Sequence, residues 1–130
     1  MIFLDTSGIL ALVMENDSFH DTALEMMKLA EAERVRILLH NYILIESAAL
    51  LQNRIGLNAS ITFLQSATSF DVVWVDSNLH AQAVEYMSQS GTSKLSFIDI
   101  ISFLVMRSSG ITEFVGFDKH FTNAGFKQYG

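Results

Sequence analysis

Short apolar runs of strand length alternate with longer stretches of helical periodicity along the whole chain, and that alternation leaves few folds open. Met1 to Leu4 reads as a buried strand ending at Asp5, Arg36 to Leu39 as a second and Val72 to Val75 as a third. Glu113 to Phe117 reads as a fourth, leading into Asp118, and Phe126 to Tyr129 as a short last strand. Between them, Ser7 to Val13, Ser18 to Glu33, Asn41 to Arg54, Asn58 to Ser69, Ser77 to Ser90 and Ser96 to Ser109 read as helices, with stops at Gly56, Gly91 and Gly110. Strands separated by helical crossovers pair in parallel and lie buried between the helices that join them. The expected fold is therefore α/β: a three-layer α/β/α domain around a central parallel sheet of four or five strands.

One domain over residues 1–130 is expected, since 130 residues supply a single continuous core and the sequence shows no repeat, linker or low-complexity tract. Hydrophobic residues make up 50% of the chain, which is incompatible with disorder. The N-terminus has no basic segment of the kind that opens a secretion signal, and Asp5 interrupts its apolar run. The apolar stretch Leu95 to Met106 carries Ser96, Asp99 and Ser102 and falls short of the roughly 20 residues a bilayer requires. A cytoplasmic location with no membrane partner is the expectation.

Metal chemistry is narrowed by what is missing. With no cysteine there is no thiolate site, and His20, His40, His80 and His120 show no paired ligand spacing, so zinc is disfavoured. Eight Lys and Arg against fourteen Asp and Glu give a net charge of −6, which argues against a protein that grips nucleic acid through a basic surface. Bound divalent cations would reverse that sign locally.

Four acids stand out in a chain with only 17% charged residues: Asp5, Glu46, Asp99 and Asp118. Glu46 is surrounded by Ile43, Leu44, Ile45, Ala48, Ala49, Leu50 and Leu51, and Asp99 by Phe97, Ile98, Ile100 and Ile101. A charge among such neighbours must face a cleft or find a partner. Each also has a plain structural explanation. Asp5 before Thr6-Ser7 suits a helix N-cap, and Ser96-Phe97-Ile98-Asp99 suits a capping box, although Ser18-Phe19-His20-Asp21 repeats that pattern elsewhere. Asp76 ends a strand too, and a cap suffices to explain it. In right-handed crossovers, residues just after strands and in the first turns of the following helices share the carboxyl edge of the sheet. All four acids can meet there and hold a cation.

The order Asp5-Thr6-Ser7, an acid in the helix after the second strand, Ser96-x-x-Asp99 and then Gly116-Phe117-Asp118-Lys119-His120-Phe121 resembles the PIN-domain family, and within it the small single-domain VapC-like toxins. The resemblance spans nearly the whole chain. It implies that Asp5, Glu46, Asp99 and Asp118 hold one or two Mg²⁺ or Mn²⁺ ions and that RNA is cut to leave a 5′-phosphate and a 3′-hydroxyl. Thr6, Ser7, Ser96 and Lys119 would position carboxylate, water or substrate, and Lys94, Arg107 and His120 are further candidates for substrate contact. Relatives of this kind often carry Thr or Ser where this chain has Gly116, which leaves a supporting hydroxyl in question. The implied partners are RNA, a cognate antitoxin and a second copy of the chain, with Ser18 to Glu33 and Asn41 to Ser69 offering surfaces. A phosphoacceptor receiver ranks well below, since the first strand supplies only Asp5 and Asp76 is not followed by a matching Lys strand, and a haloacid-dehalogenase reading is weaker still, since Asp5-Thr6-Ser7 lacks a second Asp two positions on. A non-catalytic PIN-like module that binds RNA or protein remains the alternative.

Overall fold

Ile2, Phe3 and Leu4 lack polar alternation, so a strand made of them must be covered on both faces. They form the central strand β1 (Ile2–Leu4) of the computed structural model, which describes every residue from Met1 to Gly130, and all three are buried. Around it, β2 (Ile37–His40), β3 (Asp71–Val73), β4 (Glu113–Val115) and β5 (Lys127–Gln128) complete a five-stranded, wholly parallel sheet in the order β3-β2-β1-β4-β5. Phe3 lies opposite Leu38 on one side and Phe114 on the other.

Seven helices join the strands: α1 (Thr6–Val13), α2 (His20–Ala32), α3 (Asn41–Arg54), α4 (Leu57–Ser66), α5 (Ser77–Ser90), α6 (Phe97–Ser108) and α7 (Lys119–Asn123). α1 packs on α2 and α3, and α3 on α4, while α5 packs on α6 and α6 on α7. The sheet lies between helical layers, as the strand and helix alternation requires, and a single core runs through it from Ile2 to Tyr129. Gly8 lets α1 approach β4: a Cβ there would lie 2.5 Å from the Val115 carbonyl oxygen. No helix is long and apolar enough to cross a membrane.

The departures from the sequence expectation have local causes. The helix read from Ser18 begins at His20, because Asp17 Oδ1 accepts from Phe19 N at 2.8 Å and the Ser18-x-x-Asp21 pattern forms no cap. The segment read as one helix from Asn58 to Ser69 ends in a 3₁₀ turn at Ala67–Ser69. The fourth strand stops at Val115 rather than Phe117, since Phe117 N donates to the Ser7 hydroxyl and leaves the ladder. Helix α7 had no counterpart in the sequence reading. Its anchor is the fully buried Phe121, whose ring lies 4.8 Å from Phe114, 5.0 Å from Phe103 and 6.2 Å from Phe3.

Candidate metal centre

The strand order reverses at β1. The chain lays β2 and β3 on one side of it and β4 and β5 on the other, so the carboxyl ends of β1 and β4 flank the crevice where open α/β sheets bind ligands. Asp5 directly follows β1, Asp118 follows β4, Glu46 lies in the second turn of α3 and Asp99 in the first turn of α6. All four line one cleft of about 360 Å³, together with Thr6, Ser7, Lys94, Ser96 and His120.

Three of these acids are also helix caps, so the structural and functional explanations hold together. Asp5, only 5% exposed, caps α1, its Oδ2 accepting from Ser7 Oγ at 2.8 Å and Ser7 N at 3.4 Å. Asp99 and Ser96 complete a reciprocal capping box at α6, with Asp99 N donating to Ser96 Oγ at 3.0 Å and Ser96 N to Asp99 Oδ2 at 3.3 Å. Asp118 caps α7 by accepting from His120 N at 2.9 Å. Asp76 caps α5 and lies outside the cleft.

Ser7 ties two of the carboxylate-bearing loops together. Its hydroxyl donates to Asp5 and accepts from Phe117 N at 2.8 Å, joining the end of β1 to the segment that carries Asp118. Gly116 packs closely beside it: a Cβ at that position would lie 3.0 Å from Asp5 Cβ and 3.1 Å from Ser7 Oγ, so a side chain there would have to push these neighbours aside. Gly116→Ser is expected to cost about 1–3 kcal/mol by overpacking against Asp5 and Ser7, as urea denaturation would show.

His40, the last residue of β2, is a structural element that the sequence did not disclose. It is fully buried, and burial pushes its imidazole down to about pKa 3, so the ring is neutral. Nδ1 accepts from Ile43 N at 3.3 Å and caps α3, which assigns the proton to Nε2 and makes Nε2–H the donor to Ser102 Oγ at 2.9 Å. Ser102 in turn donates to the Ile98 carbonyl at 3.0 Å. This chain of bonds fixes the helix of Glu46 against the helix of Asp99.

The cleft concentrates negative charge. Burial raises Asp5 to about pKa 6, opposed by its hydrogen bonds from Ser7 and Thr6 and reinforced by Asp99. Burial and the Asp99 charge raise Glu46, and burial with the Asp118 charge raises Asp99 against the hydrogen bonds from Ser96 and the influence of His120. His120 Nδ1 lies 3.1 Å from Asp118 Oδ1 and 3.5 Å from Asp99 Oδ2, an electrostatic contact rather than an aligned hydrogen bond. Ligand atoms of Asp99, Asp118 and His120 all fall within 4.8 Å of one another. Thr6 Oγ1, on the same cleft, is buried without a hydrogen-bond partner. Crowded carboxylates with a spare hydroxyl suit a hard divalent cation such as Mg²⁺ or Mn²⁺.

The structure thus gathers Asp5, Thr6, Ser7, Glu46, Ser96, Asp99 and Asp118 in one place. Lys119 does not line the cleft: it is exposed and borders an adjoining hollow with Phe19, Phe117 and Thr122, which shares Asp118 with the cleft. Lys94 and His120 line the cleft.

A parallel α/β domain with carboxylates converging at its switch point defines a class of acidic-cleft proteins. The chain belongs to the PIN domain family, whose model matches residues 2–127. It is 34% identical over 128 residues to the 23S rRNA-specific endonuclease VapC20 of Mycobacterium tuberculosis, in strains CDC 1551 and H37Rv alike, covering 97% of this chain and 95% of the relative. The crystal structure of M. tuberculosis VapC20, described as a sarcin-ricin loop cleaving toxin, superposes with a TM-score of 0.83 at 33% identity, covering 97% of this chain and 96% of that one.

Proposed function

We propose that this chain is a divalent-metal-dependent endoribonuclease and the toxin of a type II toxin–antitoxin pair, acting in the cytoplasm. The observation that carries the reading is the convergence of Asp5, Glu46, Asp99 and Asp118 in one cleft, in a chain so similar to an RNA-cleaving toxin. One or two Mg²⁺ or Mn²⁺ ions held there would supply a water of lowered pKa and a counter-charge for the scissile phosphate.

The protein's own part is placement. Asp5, Glu46, Asp99 and Asp118 hold the cation, and Ser7 orients Asp5 through its 2.8 Å hydrogen bond. Thr6 offers a hydroxyl with no other partner, and Ser96 fixes Asp99 through the capping box. Lys94 brings a positive charge to the rim where a phosphate would enter. Lys119, exposed just beyond Asp118, would contact a longer substrate outside the cleft. His120 brings Nδ1 to 3.1 Å from Asp118 and 3.5 Å from Asp99, close enough to join them around a cation.

RNA is the substrate class carried over from the relative, and the sarcin–ricin loop of 23S rRNA is the first target to test. Ile45, Ile55, Leu57, Ile61 and Leu64 on and between α3 and α4 are 42–64% exposed, which supports a homodimer and an antitoxin covering parts of this apolar surface. Calorimetric titration with Mn²⁺ tests the metal site directly. Saturable binding is expected in the native chain and at least about tenfold weakening in Asp99→Asn, since even residues that only support metal ligands cost about 10–100-fold when lost. A native chain that takes up no Mn²⁺ would favour the non-catalytic PIN-like module.

A further inference from the structure

The carboxylate cleft does not end at Lys94 and His120. Both residues also line a second hollow of about 310 Å³, built from the α5–α6 loop, α6 and α7. Gly91, with φ 66°, stops α5 and turns the chain into that loop. There Thr92 Oγ1 accepts from Lys94 N at 3.2 Å, fixing the bend that carries Lys94. Arg107 in the last turn of α6 and Asn123 at the end of α7 line the same hollow.

The charge of this hollow runs against that of the chain. Fourteen Asp and Glu outnumber eight Lys and Arg, yet Lys94 and Arg107 line it and no carboxylate does. Neither cation forms an ion pair. The hollow beyond Asp118, by contrast, sets that acid beside Lys119. Arg107 is braced without being neutralised: its guanidinium carbon lies 5.5 Å from the centre of the Phe126 ring and 5.9 Å from that of Phe103. An arginine held on aromatic rings keeps the N–H donors at its edge free for an anion. The side-chain amide of Asn123 adds further donors.

RNA carries a phosphate at every nucleotide, and cations held by the carboxylates neutralise only the one being cut. A chain of net charge −6 repels the others wherever its acids face them. Beside the cleft, the hollow of Lys94 and Arg107 turns that repulsion into attraction. Arg107 follows Asp99 by roughly two turns of α6, about 12 Å along its axis, an offset that suits a neighbouring phosphate rather than the scissile one.

We propose that the hollow formed by Lys94, Arg107 and Asn123 is a subsite for a backbone phosphate flanking the scissile bond, and that it sets the path by which the RNA strand leaves the carboxylate cleft. This rests on the ribonuclease reading above. The subsite reads backbone charge and carries no base specificity.

The test replaces single phosphates of the RNA that the native chain cleaves by uncharged methylphosphonate linkages, one position at a time. At one position flanking the cut, the neutral linkage is expected to raise the KM of the native chain about tenfold, the scale of a charge-assisted contact. Arg107→Gln, which keeps the aliphatic stem over the rings, is expected to raise KM for unmodified RNA by a similar factor and to be indifferent to the neutral linkage at that position. With Ca²⁺ in place of the activating ion, the same variant is expected to flatten the slope of log affinity against log salt by about 0.7, the value for one single-strand phosphate, and Arg107→Lys to restore it. An Arg107→Gln protein with native KM and native salt slope, or one as sensitive as the native chain to every neutral linkage, overturns the subsite alone. A fall in Tm with an unchanged salt slope would make Arg107 a packing residue and overturns it likewise. A native chain that neither binds nor cuts RNA overturns the ribonuclease reading and the subsite with it.

Discussion

Asp5→Asn is expected to lower kcat at least about a thousandfold while making the metal-free protein more stable. A thousandfold corresponds to about 4 kcal/mol of transition-state stabilisation, the scale of losing metal-mediated charge stabilisation. The gain in stability follows from burial. Asp5 is 5% exposed and its carboxyl is raised from 3.8 to about 6, so ionising it in the folded chain costs about 2.2 × 1.36, or about 3 kcal/mol. Asparagine keeps the cap, because its amide oxygen can accept from Ser7 as the carboxylate does. Cleavage assays and urea denaturation in EDTA at pH 7.5, on one preparation, would show opposite signs for the two quantities. Loss of both activity and stability would mean that Asp5 serves the fold rather than the chemistry.

The second large effect is a metal-dependent offset of the loss of stability at high pH. A carboxyl raised in the folded state binds more protons there than in the unfolded chain between pH 3.8 and about 6, so stability falls as pH rises through that window and stays low above it. Glu46 and Asp99 are raised in the same direction and add to the fall. A cation that binds the ionised carboxylates restores stability only above about pH 6. At a hundred times its Kd it contributes about 2.7 kcal/mol, or roughly 8 °C in Tm for a domain of this size. Thermal melts with Mn²⁺ and with EDTA are therefore expected to coincide at pH 4 and to diverge at pH 7.5. Curves that coincide at both pH values would contradict a metal site built from these acids.

The sheet and its crossovers were legible because the central strand β1 is apolar on both faces, short apolar runs recur after it, and the longer helices keep a 3.6-residue period. Helix α7 was not, since five residues are too few to display a period, and Phe121 reveals its role only through Phe3, Phe103 and Phe114, which are distant in sequence. Glu46 was legible from its apolar neighbours. The capping motif was not decisive: Ser96-x-x-Asp99 closes a capping box and Ser18-x-x-Asp21 does not, because Asp17 takes the Phe19 amide first. His40 carried no signal, for a lone histidine between an apolar strand and a helix looks the same whether it caps or ligates. The reason for Gly116 also lay out of sequence reach, in the space that Ser7 and Asp5 occupy beside it.

The central claim is that the four carboxylates form a metal-dependent ribonuclease site. It is tested most directly by incubating the native chain, Asp5→Asn and Asp99→Asn with sarcin–ricin loop RNA, tRNA and unstructured RNA, in Mg²⁺, Mn²⁺ or EDTA. Discrete cleavage is expected from the native chain alone, only with a divalent ion, leaving 5′-phosphate and 3′-hydroxyl ends. Equal cutting by the variants, cutting that persists in EDTA, or no metal-dependent cutting of any RNA would contradict it.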